Sequence, residues 1–183
     1  IRVKSNPTVC FNSPTICSGK TATLTASGAT SYTWNPNIGS GATVTTPVLT
    51  ANASYTVTGT KDGCVGTATA NVTVTALPNV TVTSPTICSG KTATLQASGA
   101  DSYTWTGGLA SVSNPTTPVL TANTSYTVTG TVGSCSNTAV SNVTVTALPN
   151  VTVTSPTICS GKTATLQASG ADSYTWTGGL ASG

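Results

Sequence analysis

Charged side chains are scarce in this sequence, and histidine and glutamate are missing altogether. Only 5% of the 183 residues are charged, against about 25% in ordinary soluble proteins. The only acidic residues are Asp62, Asp101 and Asp172, which lie far apart. Without His no Ser–His or Cys–His catalytic pair can form, and isolated carboxylates provide neither an acid–base pair nor a calcium site. We therefore predict that the chain is not an enzyme and binds no metal or cofactor.

Long apolar runs and basic clusters are also lacking. No stretch approaches the roughly 18–20 consecutive apolar residues of a transmembrane helix, so no membrane span is predicted. The Lys and Arg residues number 6 and are scattered, which is too dispersed a charge to follow a nucleic-acid backbone. The 6 cysteines, set in a Thr-rich chain of low charge, favour an oxidising compartment. We expect a secreted, extracellular protein.

What the sequence does contain is a repeat of 71 residues. The segment PTICSGKTATL occurs three times, and two series of cysteines recur at the same spacing: Cys17, Cys88 and Cys159, and Cys64 with Cys135. Residues 80–111 and 151–182 are identical. A period this long indicates a tandem of small domains. The predicted boundaries are 1–6 for an N-terminal strand or the end of a preceding unit, 7–77 for repeat 1, 78–148 for repeat 2, and 149–183 for a partial repeat 3.

Within one repeat the pattern predicts an all-β fold. Short stretches rich in Val, Thr and Tyr alternate in polarity and end at Gly or Pro, as strands do. In repeat 2 the strand candidates are 79–84, 92–98, 102–108, 116–123, 125–131 and 139–147. Six or seven such strands, with no helical periodicity between them, are typical of an antiparallel β-sandwich.

The repeat resembles the bacterial immunoglobulin-like repeats of large secreted surface proteins, including adhesins exported by type IX secretion. The resemblance lies in ICSGKTATLQASGADSYTW (87–105), TSYTVTGTVGSC (124–135) and a Thr/Val-rich last strand. It implies tandem immunoglobulin-like β-sandwich domains, but it implies no particular ligand. Cys10 departs from the pattern, because Thr81 and Thr152 stand at the equivalent positions.

The repeated aromatic residues are candidates for the core of the sandwich. In the segment SYTW the Tyr and the Trp are two residues apart and therefore share a face of their strand. A Trp on that strand packs between the sheets of such sandwiches, although a sugar-stacking surface is the alternative. The predicted core residues are Trp34, Trp105, Trp176, Tyr32, Tyr103, Tyr55 and Tyr126.

Disulfide bonds are expected, but the sequence leaves two connectivities open. Bonds within a unit would join Cys17 to Cys64 and Cys88 to Cys135. However, the two cysteines of a unit are expected at opposite ends of strands about 25 Å long, whereas bridged Cα atoms lie about 6 Å apart. The favoured scheme therefore crosses units and joins Cys17 to Cys135. It leaves Cys64 without a partner, and Cys10 is expected to take that place.

These features favour a structural role, with two alternatives. The leading hypothesis is a non-enzymatic segment of a bacterial extracellular filament or giant adhesin, whose partners are neighbouring repeats or identical subunits in a fibre. One alternative is a multivalent module that binds surface glycans, for instance through outward-facing Thr ladders. The other is a spacer in a larger secreted enzyme. The C-terminal repeat is only half a unit, and we expect the chain to be a segment of a longer repeat protein. The alternative is that strand exchange between subunits completes this repeat.

Overall fold

The computed structural model describes residues 3–179, and every regular element within them is a β-strand. Residues 1–2 and 180–183, at the outer ends of the first and last predicted segments, lie outside the described residues. Strands dominate because Thr and Val are β-branched and fit a pleated surface better than a helix.

The first unit is a sandwich of two sheets. Its strands are β1 (Cys10–Phe11), β2 (Thr15–Cys17), β3 (Thr23–Ser27), β4 (Ser31–Asn35), β5 (Thr43–Thr45), β6 (Ala53–Lys61) and β7 (Cys64–Thr75). One sheet has the order β1-β3-β5 and the other the order β2-β7-β6-β4. This arrangement is immunoglobulin-like. All pairs are antiparallel except β2 with β7, a parallel edge pairing in which Ile16 lies opposite Val74.

Strict alternation along the strands builds the core of this unit. In β3 and β4 every second residue is buried, so that one face of each strand packs inward and the other faces solvent. Leu24 and Val57 are fully buried, at 0% exposure, and pack in one cluster with Trp34 and Tyr55. Full burial of a side chain such as Leu24 stabilises the fold by about 2 kcal/mol.

The second unit repeats this plan. Its strands are β8 (Thr81–Val82), β9 (Thr86–Cys88), β10 (Ala97–Ser98), β11 (Ser102–Trp105), β12 (Thr124–Val132) and β13 (Cys135–Thr146). They form sheets of order β10-β8 and β11-β12-β13-β9. The parallel edge pairing recurs between β9 and β13, where Ile87 lies opposite Val145.

Two predicted strands of the second unit are wrong in whole or in part. Of 92–98 only β10 (Ala97–Ser98) is a strand, with an isolated bridge at Thr94. Over 116–123 the structure has only isolated bridges, at Thr116 and Leu120. Pro118 has no amide hydrogen to donate to a ladder, so that a continuous strand cannot run through it.

The third unit contributes a single strand pair among the described residues, β14 (Thr152–Val153) with β15 (Ala168–Ser169). Its apolar residues are open to solvent, in contrast to their equivalents in the second unit. Val151 and Leu166 are exposed, whereas Val80 and Leu95 are buried. In the second unit the sheet that contains β12 and β13 covers Val80 and Leu95, which accounts for their burial.

Candidate functional site: the junction between the first two units

The repeated CSGK segment forms a tight turn. In the first unit the amide of Lys20 donates to the carbonyl of Cys17 at 3.2 Å, and Gly19 has a φ of 82°. A positive φ at the third position of a β-turn calls for Gly, because a side chain there would be strained. The same turn recurs in the other units at Gly90 and Gly161, with φ values of 81° and 78°. The motif therefore places its cysteine at the first position of a tight turn.

Cys17 is held at one end of the first unit, which we call the far end. It is the last residue of β2 and lies opposite Thr75, the last residue of β7. After it, the amide of Ser18 donates to the carbonyl of Thr75 at 2.8 Å, and the amide of Gly19 donates to the carbonyl of Leu49 at 2.8 Å. Because two neighbouring segments anchor the turn through its backbone, the position of Cys17 is fixed by the fold.

Cys135 lies at the end of the second unit that faces the first unit. We call the corresponding end of each unit its near end. Cys135 is the first residue of β13 and lies opposite Val132 across a two-residue turn, in which Gly133 has a φ of 58°. The structure joins Cys17 to Cys135 in a disulfide with a Cα–Cα distance of 5.5 Å, across 118 residues of sequence. This is the bond between units that the favoured scheme requires, and it leaves Cys135 only 2% exposed.

The alternative bonds within units, Cys17–Cys64 and Cys88–Cys135, are wrong. Cys64 begins β7 and Cys17 lies opposite the end of the same strand. A strand of this length separates them by about 35 Å, far beyond the roughly 6 Å between bridged Cα atoms.

The predicted Cys10–Cys64 bond is also wrong. Among the cysteines, all of which fall within residues 3–179, Cys10, Cys64, Cys88 and Cys159 are free. The Cys64 thiol donates to the carbonyl of Lys4 at 3.8 Å, whereas Cys10 lies six residues further along the chain and is paired with Ser27. Cys10 thus belongs to the sheet that contains β3, whereas Cys64 begins β7 in the other sheet. The residue beside Cys64 is Lys4.

The predicted core residues of the first two units lie in the cores, to different degrees, whereas Trp176 belongs to no core cluster of the described residues. Tyr32, Trp34, Tyr55 and Tyr126 are buried. Tyr103, Trp105 and Trp176 are partly buried. Both described indole donors of the first two units are satisfied, since Trp34 Nε1 donates to the carbonyl of Gly41 at 3.1 Å and Trp105 Nε1 donates to the carbonyl of Val112 at 2.9 Å.

Tyr32 and Tyr103 also close a turn. The hydroxyl of Tyr103 donates to the carbonyl of Ala100 at 2.9 Å and accepts from the amide of Ala100 at 3.0 Å. Tyr32 makes the same two bonds to Ala29, at 2.9 and 2.7 Å. Each tyrosine thus packs its ring inward and holds the turn before its own strand.

Two buried threonines were not predicted from the sequence. Thr46 and Thr117 are each only 3% exposed. Thr117 Oγ1 accepts from the amide of Ala93 at 2.9 Å and donates to the carbonyl of Pro118 at 2.9 Å. Thr46 makes the equivalent bonds in the first unit. The one available signal was the following Pro, because a TTPVL segment recurs in both units.

The chemistry of the junction is a covalent bond between two units. Within residues 3–179 no three His, Cys, Asp or Glu side chains come together as a metal site would require. The described part of the chain also has no helix long and apolar enough to span a membrane. A disulfide, in contrast, is present and ties two units that the backbone already connects.

Comparison with known proteins bears on the fold. No protein-family model matches the chain, and no curated protein matches it. Similar solved structures are tandem arrays. They include Drosophila OTK extracellular domains 3–5 (14% identity, TM-score 0.41, 77% of this chain and 60% of that one) and an E-to-A variant of titin domains I67–I69 (16%, 0.37, 80% and 68%). A third is the insect immune protein hemolin (14%, 0.40, 79% and 48%). The chain is a tandem of immunoglobulin-like β-sandwich domains.

Proposed function

We propose that the chain is a non-enzymatic structural segment of a bacterial extracellular filament or giant cell-surface adhesin. In this role the units are spacers that form a stiff rod, reinforced by disulfides and held away from the cell. The observation that carries the proposal is the Cys17–Cys135 bond, which joins two successive units beside their backbone linker. A hinge between domains needs one flexible connection, whereas two connections restrict it.

The linker itself supports a restricted junction. It runs from the end of β7 at Thr75 into the second unit, and Pro78 within it is buried. The side-chain amide of Asn137, on β13, donates to the carbonyl of Pro78 at 3.1 Å. The ring of Pro78 fixes its own φ, so that both ends of this short linker are tied to strands.

The bond also resists unfolding. In the chain-entropy model, a disulfide that closes a loop of 118 residues stabilises the folded state by about 5 kcal/mol at 25 °C. Because the loop includes most of both units, local opening of either unit is restrained by the other. This suits a segment that must keep its length under load.

Small-angle X-ray scattering of the full chain tests the proposal. The double variant C17S/C135S removes the bond, and C10S/C88S removes two free thiols as a matched control. We expect the control to scatter like the parent chain, and C17S/C135S to show a broader range of maximum dimensions because the units bend about the linker. Identical profiles for all three proteins would show that the bond does not stiffen the junction.

The alternative function, a multivalent glycan-binding module, has one observation in its favour. The outer face of the larger sheet carries a row of hydroxyls without charge, since Thr33, Thr58 and Thr67 lie side by side on β4, β6 and β7. Saturable binding of the full chain on a glycan array, lost in T33V/T67V, would favour this function. A chain that binds no glycan favours the structural role.

A further inference from the structure

The first unit carries an equivalent of Cys135, namely Cys64, that forms no bond to another unit. Cys64 and Cys135 are equivalent in the repeat, and each begins the last strand of its unit. Cys64 follows the tight turn formed by Asp62 and Gly63, whose φ values are 53° and 81°. Cys135 is bonded to the turn cysteine of the preceding unit, whereas Cys64 is free and half-buried.

The residues beside Cys64 correspond to those beside the bonded cysteine. Lys4 stands 71 positions before Thr75, the residue opposite Cys17 in the parallel edge pairing. The carbonyl of Lys4 accepts from the Cys64 thiol at 3.8 Å, and Lys4 Nζ donates to the carbonyl of Asp62 at 3.2 Å. Residues 3–4 therefore lie against the near end of the first unit in the place where Thr75 of a preceding unit would lie.

The third unit carries the complementary half. Cys159 follows the same sequence as Cys17, and its turn is closed by the same bond, from the Lys162 amide to the Cys159 carbonyl at 3.2 Å. It is free and exposed.

A second, independent pair of residues points to the same partner. In the parallel edge pairing Ile16 lies opposite Val74, and Ile87 lies opposite Val145. Ile16, Ile87 and Val145 pack against the cores of their units. The residues equivalent to Val145 and Ile87 are Val3 and Ile158, and they are not packed in this way: Val3 is 90% exposed and Ile158 is 50% exposed. Both halves of one apolar contact are thus present in the chain, at opposite ends.

We propose that a second copy of this chain docks at the near end of the first unit, with its Cys159 bonded to Cys64 and its Ile158 opposite Val3. The contact repeats the junction between the first two units, and it joins copies head to tail. This inference rests on the proposed structural function and names the partner of the same kind of junction.

The bond forms by thiol–disulfide exchange with a small-molecule disulfide such as oxidised glutathione. The Cys159 thiolate attacks one sulfur of the oxidant and releases one glutathione thiolate. The Cys64 thiolate of the other copy then attacks the Cys159 sulfur and expels the second glutathione thiolate. The two protons lost by the protein thiols are taken up by the two glutathione molecules, so that one disulfide is reduced for each one formed.

A mixing experiment with the full chain tests the proposal. Cys10 and Cys88 are first replaced by Ser to remove the other free thiols. In that background, C64S leaves only Cys159 free and C159S leaves only Cys64 free. The two proteins carry tags of different mass and are oxidised, separately and together, in a mixture of reduced and oxidised glutathione. Non-reducing electrophoresis then measures the dimers.

We expect the mixed dimer to exceed either homodimer by at least tenfold, and the parent with both thiols to form a ladder of higher oligomers. Placing V3D in the C159S protein should lower the mixed dimer to the homodimer level, because it removes the apolar contact and leaves the thiol. Mixed dimers no more abundant than homodimers would overturn the proposal.

The same samples separate this inference from the function on which it rests. If the Cys17–Cys135 bond is found by peptide mapping but no mixed dimer forms, the docking of copies is wrong and the rod-like junction stands. If the Cys17–Cys135 bond is itself missing, the proposed function fails first.

Discussion

Replacing Thr117 by Val should destabilise the second unit through a single buried hydroxyl. Val has nearly the shape of Thr but neither donates nor accepts. The change leaves the amide of Ala93 without the acceptor that it has at 2.9 Å, at a site only 3% exposed. An unpaired buried donor costs about 1–3 kcal/mol, and the added methyl recovers part of that cost. We expect a net loss of about 1–2 kcal/mol.

The assay is thermal and urea unfolding of the full chain, followed by calorimetry and circular dichroism. For a unit of this size, a loss of 1 kcal/mol lowers the unfolding temperature by about 4–8 °C. The control is T104V, because Thr104 lies exposed on β11 of the same unit. T46V serves as a replicate, since Thr46 makes the equivalent bonds in the first unit.

The result that would refute this reasoning is specific. If T117V unfolds at the same temperature and urea concentration as T104V, the buried hydroxyl does not stabilise the unit. If T46V and T117V differ widely, the two units do not share one packing scheme. A loss in T117V that T117S restores in part would support the hydrogen bonds as the cause.

Two further substitutions probe the turns of the second unit, each measured by urea unfolding. G99A should destabilise the unit more than G90A by about 2 kcal/mol, the usual cost of overpacking. Both glycines have a positive φ, but a Cβ at Gly99 would collide with the carbonyl oxygen of Asn79, whereas the space around Gly90 is open. Equal losses would contradict the close approach. Y103F should cost about 1–2 kcal/mol, because it removes both hydrogen bonds to Ala100. An unchanged midpoint would contradict a role in holding that turn.

The repeat made much of this architecture predictable. Alternation of Thr with Val gives each strand its inward face, and copying at a fixed period means that one unit predicts the next. Even the bond from Cys17 to Cys135 follows from topology, because a turn at the far end of one unit faces the near end of the next.

The errors arose where local sequence does not determine position. Cys10 was expected near Cys64 because both were assigned to the near end, but the chain enters the unit earlier, and Lys4 lies there instead. Thr117 could not be told from the many exposed threonines, because its burial depends on the neighbouring segment at Ala93. The parallel edge pairing was missed for a similar reason, since β2 and β9 have three residues each, too few to show a pattern.

The central claim is that a covalent bond links successive units, and a peptide map of the unreduced protein tests it directly. After free thiols are alkylated in denaturant, cleavage after Lys places Cys17 in peptide 5–20, Cys64 in peptide 62–91 and Cys135 in peptide 92–162. For the monomeric chain we predict a crosslink between peptides 5–20 and 92–162, which fragmentation assigns to Cys17 and Cys135, together with four alkylated cysteines. A crosslink between peptides 5–20 and 62–91 would contradict the account.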